Sequence, residues 1–425
     1  MELEEKIDLL DSFELCDHCF GRQFARLGRG FTNYERTWII EKTMEDSEKL
    51  DETSFKRENI PERDLDLKEN CYICGGLFMD IERFVKRVYN SLERYDFSTY
   101  LVGTRVPPKV TKAEEEVWEE AGVQWVEPIK SELNRMIGKE LEKKLEEERG
   151  METDVDFKRA DINPVLDIEK DRVELQINSL LIHGFYNKLE RGIPQTEWTC
   201  GNCSGKGCEE CEWTGKNYPE SVEEIIAKPL IEMTKGLETR FHGAGREDVD
   251  ALCLGKREFV IEVIEPEKRS VDLERLKKEV EKSGKVEVFK LEMAGKDLVE
   301  RVKKRRANKT YRAKVSTDEE VDERSLDKLE KIKGTIHQKT PTRVSHRRAN
   351  KTRKRKVLDI KWKKLGETSL ELEIKGEAGL YIKELISGDK SNTKPSVSDV
   401  LGVNTVCEEL DVINIEKPEG YENIS

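Results

Sequence analysis

The sequence predicts an α+β protein of several domains, with a mixed, mainly antiparallel sheet in its C-terminal half and a smaller zinc-bearing α/β region ahead of it. Three observations carry this expectation. The chain has 425 residues, too many for one ordinary domain. Beyond Ser221, strand-like runs of period two alternate with short amphipathic helices, the pattern of an α+β sheet domain. Eight of the ten cysteines fall in CxxC pairs, a spacing that suits metal better than disulfide staples in a chain of this size.

The elements follow in order. Residues 1–95 read as a mostly helical, cysteine-bearing segment, with a charged loop or exposed helix over 46–70. The run FSTYLVGTRVP is a short strand that stops at Pro107 and Pro108. Ile129, Leu133, Ile137, Leu141 and Leu145 then form one apolar helical stripe, and Gly150 suits its C-terminal cap. Val173, Leu175 and Ile177 alternate as a half-buried strand does. A small α/β domain is therefore expected over 96–197, followed by a cysteine knuckle linker at 198–220. The last domain, 221–425, starts with a helix at Ser221. REFVIEVIEP, KVEVFKLEM and SLELEIKGEAG supply strands, and VDLERLKKEVEKSG supplies a helix ended by Gly284.

Composition limits the function. Net charge is −13, so bulk charge does not point to nucleic acid. The basic residues nevertheless cluster in two acid-free tracts, RVKKRRANKTYRAK at 301–314 and KTPTRVSHRRANKTRKRK at 339–356. Basic tracts neutralise phosphate, and an aromatic such as Tyr311 can stack an unpaired base. In an otherwise acidic protein the pair of tracts favours an RNA track over a solvated face. The hexapeptide Arg-Arg-Ala-Asn-Lys-Thr stands in both, at 305–310 and 347–352, but its flanks do not align, so it is no structural repeat. No apolar run reaches membrane-spanning length, and the acidic start MELEEKIDLL is unlike a secretory signal. A soluble, cytoplasmic and monomeric protein is expected.

Cys16, Cys19, Cys71 and Cys74 form two matched CxxC turns, enough for a closed tetrahedral zinc site of structural type. Cys200, Cys203, Cys208 and Cys211 form a tighter array, relieved by Gly201, Gly205 and Gly207. Zinc is favoured there too, with an iron–sulfur cluster as the alternative. Cys253 and Cys407 stand alone in apolar surroundings and read as core residues.

The segment FHGAGREDVDALCLG places Arg246, Glu247, Asp248 and Asp250 directly after Gly243 and Gly245. A glycine turn that presents a carboxylate beside an arginine suits an active-site loop. On composition alone, a solvated acidic turn with one surface ion pair is the simpler reading.

Resemblance changes that balance. GREDVDALCLG followed by REFVIEVIEP resembles the catalytic motif of pseudouridine synthases, most of all the archaeal and eukaryotic family that modifies the TΨC arm of tRNA. The motif implies that Asp248, not Asp250, is the catalytic carboxylate, with Arg246 helping to hold the flipped base. KTYRAKV is similar to the family's second motif and implies that Tyr311 stacks on the target uracil. GEAGLYIKELISGD is similar to the third motif; it implies that Tyr381 and Lys383 face the active site, with Ile382 and Leu385 along its apolar wall. Two junctions depart from the family. Gly255-Lys256-Arg257-Glu258-Phe259 replaces the usual Gly-Arg-Pro-Phe, and Ser391-Asn392-Thr393 replaces Gly-Arg-Thr, leaving Lys390 or Lys394 as the nearby cation. YLVGTRVP, SELNRMIGKEL and LLIHGFYNKLERGIPQT resemble the THUMP-containing, RNA-binding region of the same family. The resemblance implies an isomerase that needs zinc for structure and no organic cofactor. Its substrate would be tRNA, with uridine 54 as target and 55 as a further one. Arg305, Arg306, Arg347 and Arg348 would touch RNA, with His346, Arg347 and Arg348 at the tip of a clamping loop. A non-catalytic, zinc-stabilised tRNA-binding protein or chaperone is the alternative. A tRNA methyltransferase or thiolase would need a glycine-rich nucleotide loop, and neither GxGxxG nor a P-loop is found in the C-terminal half.

Overall fold

The computed structural model describes residues 2–46, 50, 54–55, 65–342, 351–418 and 420–421. The chain divides into two compact units, 1–178 and 179–425.

The first unit opens with helices. Helix Asn33–Glu45 starts at a capping box, with Thr32 Oγ1 accepting from the Glu35 amide and Glu35 reaching back to the Thr32 amide. Two donors orphaned by the first helical turn are satisfied in this way. Most of the charged segment 46–70 lies outside the described residues. A five-stranded sheet follows. Ile162–Asp167 takes Gly103–Arg105 and Thr99–Tyr100 as parallel neighbours and Arg172–Ile177 as an antiparallel one; Asp154–Val155 extends the sheet beyond Thr99–Tyr100. Helix Ile129–Arg149 buries Leu133, Ile137, Leu141 and Leu145 completely, as its apolar spacing requires. Gly150 ends it at φ +60°, a left-handed position that suits glycine. The Tyr100 hydroxyl donates to the Gly138 carbonyl at 2.8 Å and ties helix to sheet.

The second unit is built on a ten-stranded sheet. All its pairings are antiparallel except one, a parallel contact between Thr405–Ile415 and Cys253–Ile264 at Val412 and Cys253. That contact joins two half-sheets with separate cores. One core gathers Ala313, Val315, Leu370, Leu372, Ile374 and Leu385. The other gathers Ile182, Tyr186, Ile226, Leu230, Ile261 and Val280.

Strand Leu180–Lys188 is buried along its whole length, between Cys253–Ile264 and Val286–Met293. The structure thus draws residues 180–197, expected to close the THUMP-like domain, into the larger sheet unit, and the knuckle at 198–220 lies inside that unit too. A strand buried on both faces reads as a continuous apolar run, so periodicity does not reveal which sheet it joins.

Leu141 is fully buried. Leu141→Ala should lower unfolding free energy by about 2–5 kcal/mol through lost transfer energy and the cavity left behind. Chemical denaturation followed by far-UV circular dichroism checks this; a change under about 0.5 kcal/mol would contradict the helix packing.

Candidate active site

The loop 244–252 joins the antiparallel strands Glu238–Gly243 and Cys253–Ile264 next to the parallel contact between half-sheets. Its turn depends on Gly245 at φ +74°, whose amide donates to the Gly243 carbonyl at 2.9 Å. A side chain there would be strained and would sit 3.3 Å from Lys309 Nζ. Beyond the turn, Arg246 is exposed, Glu247 points inward with a side chain 0 % exposed, and the Asp248 side chain is 36 % exposed.

Glu247 meets Arg257 as a buried ion pair, Nε to Oε2 at 2.8 Å. Burial works against the Arg257 charge, and the paired Glu247 carboxylate offsets it, so the guanidinium is held above its ordinary value. The Tyr186 hydroxyl donates to Glu247 at 3.0 Å, and Arg257 donates to the Ala244 carbonyl at 3.0 Å. Gln195 Nε2 donates to the Tyr186 hydroxyl at 2.8 Å and to the Gly245 carbonyl at 2.9 Å. Buried Lys188 donates to the carbonyls of Ile193, Val249 and Asp248 at 2.9, 3.0 and 3.2 Å. Arg191 reaches the Asp250 carbonyl at 2.8 Å. The loop backbone is therefore pinned from below, and carbonyls that a polar loop would leave to water are satisfied by fixed donors.

Above the loop lies a cleft of about 560 Å³. Tyr311, on strand Lys309–Thr317, forms part of its wall, and burial pushes the hydroxyl up to about 12, so it stays protonated at neutral pH. Burial brings Lys309 in the same wall down to about 8. Tyr381 caps helix Ile382–Ser387, its backbone locked to Gln338 by two hydrogen bonds of 2.8 and 2.9 Å. Lys383 Nζ lies 2.7 Å from Asp250 Oδ2 and 3.5 Å from Asp248 Oδ2. These partners are partly solvated, so the bridge contributes at most about 1 kcal/mol to stability and serves chiefly to orient the carboxylates.

The structure thus brings Arg246, Asp248, Arg305, Arg306, Tyr311, Tyr381, Ile382 and Lys383 to one cleft. Leu385 is not among the residues lining it. It is fully buried in the core behind, and Leu380 stands at the wall instead. Helix Ile382–Ser387 is short, and its i+3 position turns inward. Arg347 and Arg348, with His346, lie outside the described residues. Sequence reasoning missed Trp198, Arg257, Lys309, Arg353 and Arg355, all of which line the cleft. Arg257 stands in a run of three charged residues, Lys256, Arg257 and Glu258, and nothing in the sequence marks it as the one that is completely buried.

Two cysteine groups could hold a metal ion: Cys16, Cys19, Cys71 and Cys74, all buried, and Cys200, Cys203, Cys208 and Cys211. In each, the four sulfurs lie within 4.8 Å of one another, and all ten cysteines are free thiols. Cys253 is fully buried, and Cys407 packs half-buried against the core of its half-sheet. Among the described residues, no helix is long and apolar enough to cross a membrane.

Comparison with known proteins agrees with this geometry. Residues 181–416 match the family model described as Pus10, C-terminal, and residues 84–167 match the archaeal Pus10 THUMP domain. The segment LLIHGFYNKLERGIPQT therefore falls in the C-terminal match and not in the THUMP one. The tRNA pseudouridine synthase Pus10 of Methanocaldococcus jannaschii is 41% identical, over 96% of this chain and 93% of its own. That of Methanothrix thermoacetophila is 39% identical over 94% and 91%. That of Archaeoglobus fulgidus is 42% identical over 82% and 95%.

Glu247→Gln strands the buried Arg257 charge, which should cost about 3–5 kcal/mol of stability. Urea denaturation of the variant against the parent measures it. A loss below about 1 kcal/mol would show that the pair does not hold the loop.

Proposed function

Because this chain belongs to the Pus10 family of tRNA pseudouridine synthases, we propose that it isomerises uridine to pseudouridine in the TΨC arm of tRNA, at position 54 and also 55, with Asp248 as the nucleophile. The observation that carries this reading is the half-exposed Asp248 carboxylate, set on a pinned loop at the floor of a cleft walled by Tyr311 and rimmed with arginine. A cleft of about 560 Å³ lies within the roughly 300–1,000 Å³ typical of small-ligand sites and admits one flipped nucleoside.

The uridine leaves its stack, and Arg246 at the loop tip helps hold the opened state. Tyr311 stacks on the uracil, with Tyr381 touching the substrate beside it. Asp248 attacks the sugar carbon C1′ as its bond to uracil N1 breaks. The freed ring turns until C5 faces C1′, the new C–C bond forms, and Asp248 leaves as a carboxylate. C5 then loses its proton and N1 takes one up, so atoms and electrons balance without redox chemistry or an organic cofactor. Lys383 keeps the carboxylate aimed through its contacts with Asp248 and Asp250. Arg305, Arg306, Arg353 and Arg355 face the RNA backbone. The THUMP domain adds a second RNA contact.

We assign zinc to both cysteine groups. Two thiolates each about 2.3 Å from one tetrahedral zinc lie roughly 3.8 Å apart. The Cys16–Cys74 sulfurs are 3.7 Å apart, and in the second group Cys200–Cys208, Cys203–Cys211 and Cys208–Cys211 are 3.9, 3.8 and 3.6 Å apart. Such spacings suit one ion better than an iron–sulfur cluster, which spreads its cysteines over several irons. Four sulfur ligands close the coordination sphere, so the ions would brace the fold and take no part in the reaction. Free thiols throughout agree with a reducing cytoplasm.

Asp248→Asn should reduce tritium release from 5-tritiated uridine in tRNA to background while tRNA affinity stays within about threefold. Near-normal release by this variant would sink the assignment. Arg306→Ala should lower the slope of log affinity against log salt by roughly 0.7–0.9 if the side chain neutralises one phosphate. Metal analysis of the purified protein should return two zinc ions per chain, and iron in its place would overturn the assignment.

A further inference from the structure

Part of the cleft wall comes from outside the three motifs. Trp198 lines it, although the residue belongs to the segment entering the second cysteine group. The Arg246 guanidinium carbon lies 6.0 Å from the centre of the Trp198 ring, the outer range for a cation over an indole. Trp198 is half-buried and Arg246 is exposed, so the pair presents an indole overlaid by a planar cation at the cleft mouth.

The cysteine turn fixes this indole in place. The Asn217 amide donates to the Trp198 carbonyl at 2.8 Å, Thr199 pairs with Lys216 as an antiparallel bridge, and the Cys200 amide donates to Gly215 at 2.7 Å. The Tyr218 ring meets the Trp198 ring edge-on at 5.5 Å. Gly215 is needed for the close approach of the two arms, because a Cβ there would stand 2.5 Å from the Gly205 carbonyl. Among the described residues, none from 198 to 218 belongs to a hydrophobic core cluster. The turn has no apolar core to order it, so its order rests on these backbone bonds, the ring contact and the four clustered sulfurs, which the zinc assigned to them would tie together. At its other end the same segment reaches the catalytic loop, where Gln195 donates to the Gly245 carbonyl at 2.9 Å.

We propose that Trp198, layered with Arg246, is a stacking platform for an RNA base next to the flipped uridine, and that the cysteine turn at 200–211 serves to hold this platform at the cleft. The proposal rests on the RNA-modifying function proposed above. Indole faces and guanidinium planes both accept unstacked bases, and neither selects strongly among them. A neighbouring base does not react, so its contact persists from bound complex to transition state. Losing it weakens binding and leaves the chemical step alone.

The test compares Trp198→Ala, Trp198→Phe and Cys208→Ser in the full chain, with tRNA transcript as ligand. Filter binding gives Kd, and tritium release gives KM and kcat. Trp198→Ala should raise Kd and KM roughly 5- to 150-fold, the span of one base–aromatic stack, with kcat within about threefold. Trp198→Phe should recover most of the affinity. Cys208→Ser, or chelation of the folded parent should that variant not fold, should reproduce the Trp198→Ala defect. A double variant should be no weaker than Trp198→Ala alone. Unchanged Kd in Trp198→Ala overturns the platform, as does a Phe variant as weak as Ala. Full affinity after loss of the second ion overturns the role given to the turn. Failure of the parent enzyme to release tritium would strike at the isomerase assignment instead, and the Kd comparison would still decide the platform.

Discussion

The placement of the whole site depends on a charge that cannot reach water. Arg257 is completely buried, and Glu247 is the carboxylate that balances it. Glu247 lies immediately before Asp248, so satisfying the buried guanidinium drives one residue of the loop inward. The backbone then turns the next residue toward the cleft. Lys188 and Gln195 fasten the carbonyls on either side. Breaking either partner of such a pair is costly, which makes the loop geometry close to all-or-none. The nucleophilic role proposed for Asp248 would gain from this arrangement, because positioning within a fraction of an ångström governs how fast an oriented group reacts.

The site also sits at the one parallel junction among the described pairings of the larger sheet. The half-sheets share one parallel contact, Val412 with Cys253, and the loop 244–252 enters Cys253 from the cleft. One half-sheet brings Asp248 on its loop, while the other brings Tyr311 on a strand and Tyr381 and Lys383 around a helix start. Arg191 reinforces the seam, reaching Asp411 at 2.7 Å as well as the Asp250 carbonyl. Cys253 and Val412 are buried together in one core at the seam, and the polar residues of the loop lie on its cleft side.

Much of this was legible in the sequence, for local reasons. Gly243, Gly245, Arg246 and Asp248 fall within six residues, and it is the resemblance of that short motif to pseudouridine synthases, not its composition, that singled it out. The stripe Leu133, Ile137, Leu141 and Leu145 and the cap at Gly150 obey helical spacing and emerged where expected. What stayed hidden was what depends on distant chain. Lys188 becomes meaningful only when its strand lies beneath a loop sixty residues further on. Trp198 looked like part of a linker because nothing nearby says it faces a cleft. Leu385 was expected at the wall because the third motif's resemblance implied it, yet only the docking of that short helix decides which side is wet. The boundary near 197 was misplaced because strand Leu180–Lys188, buried on both faces, has no alternation to betray its sheet.

That same strand has a consequence for synthesis. It is the first piece of the larger unit to leave the ribosome, and both of its neighbours, Cys253–Ile264 and Val286–Met293, are translated much later. At roughly 5–20 residues per second, an apolar ribbon waits several seconds without a partner on either edge. Nascent chains of this protein should be most in need of a chaperone during that interval, which closes only once residues 253–264 have followed.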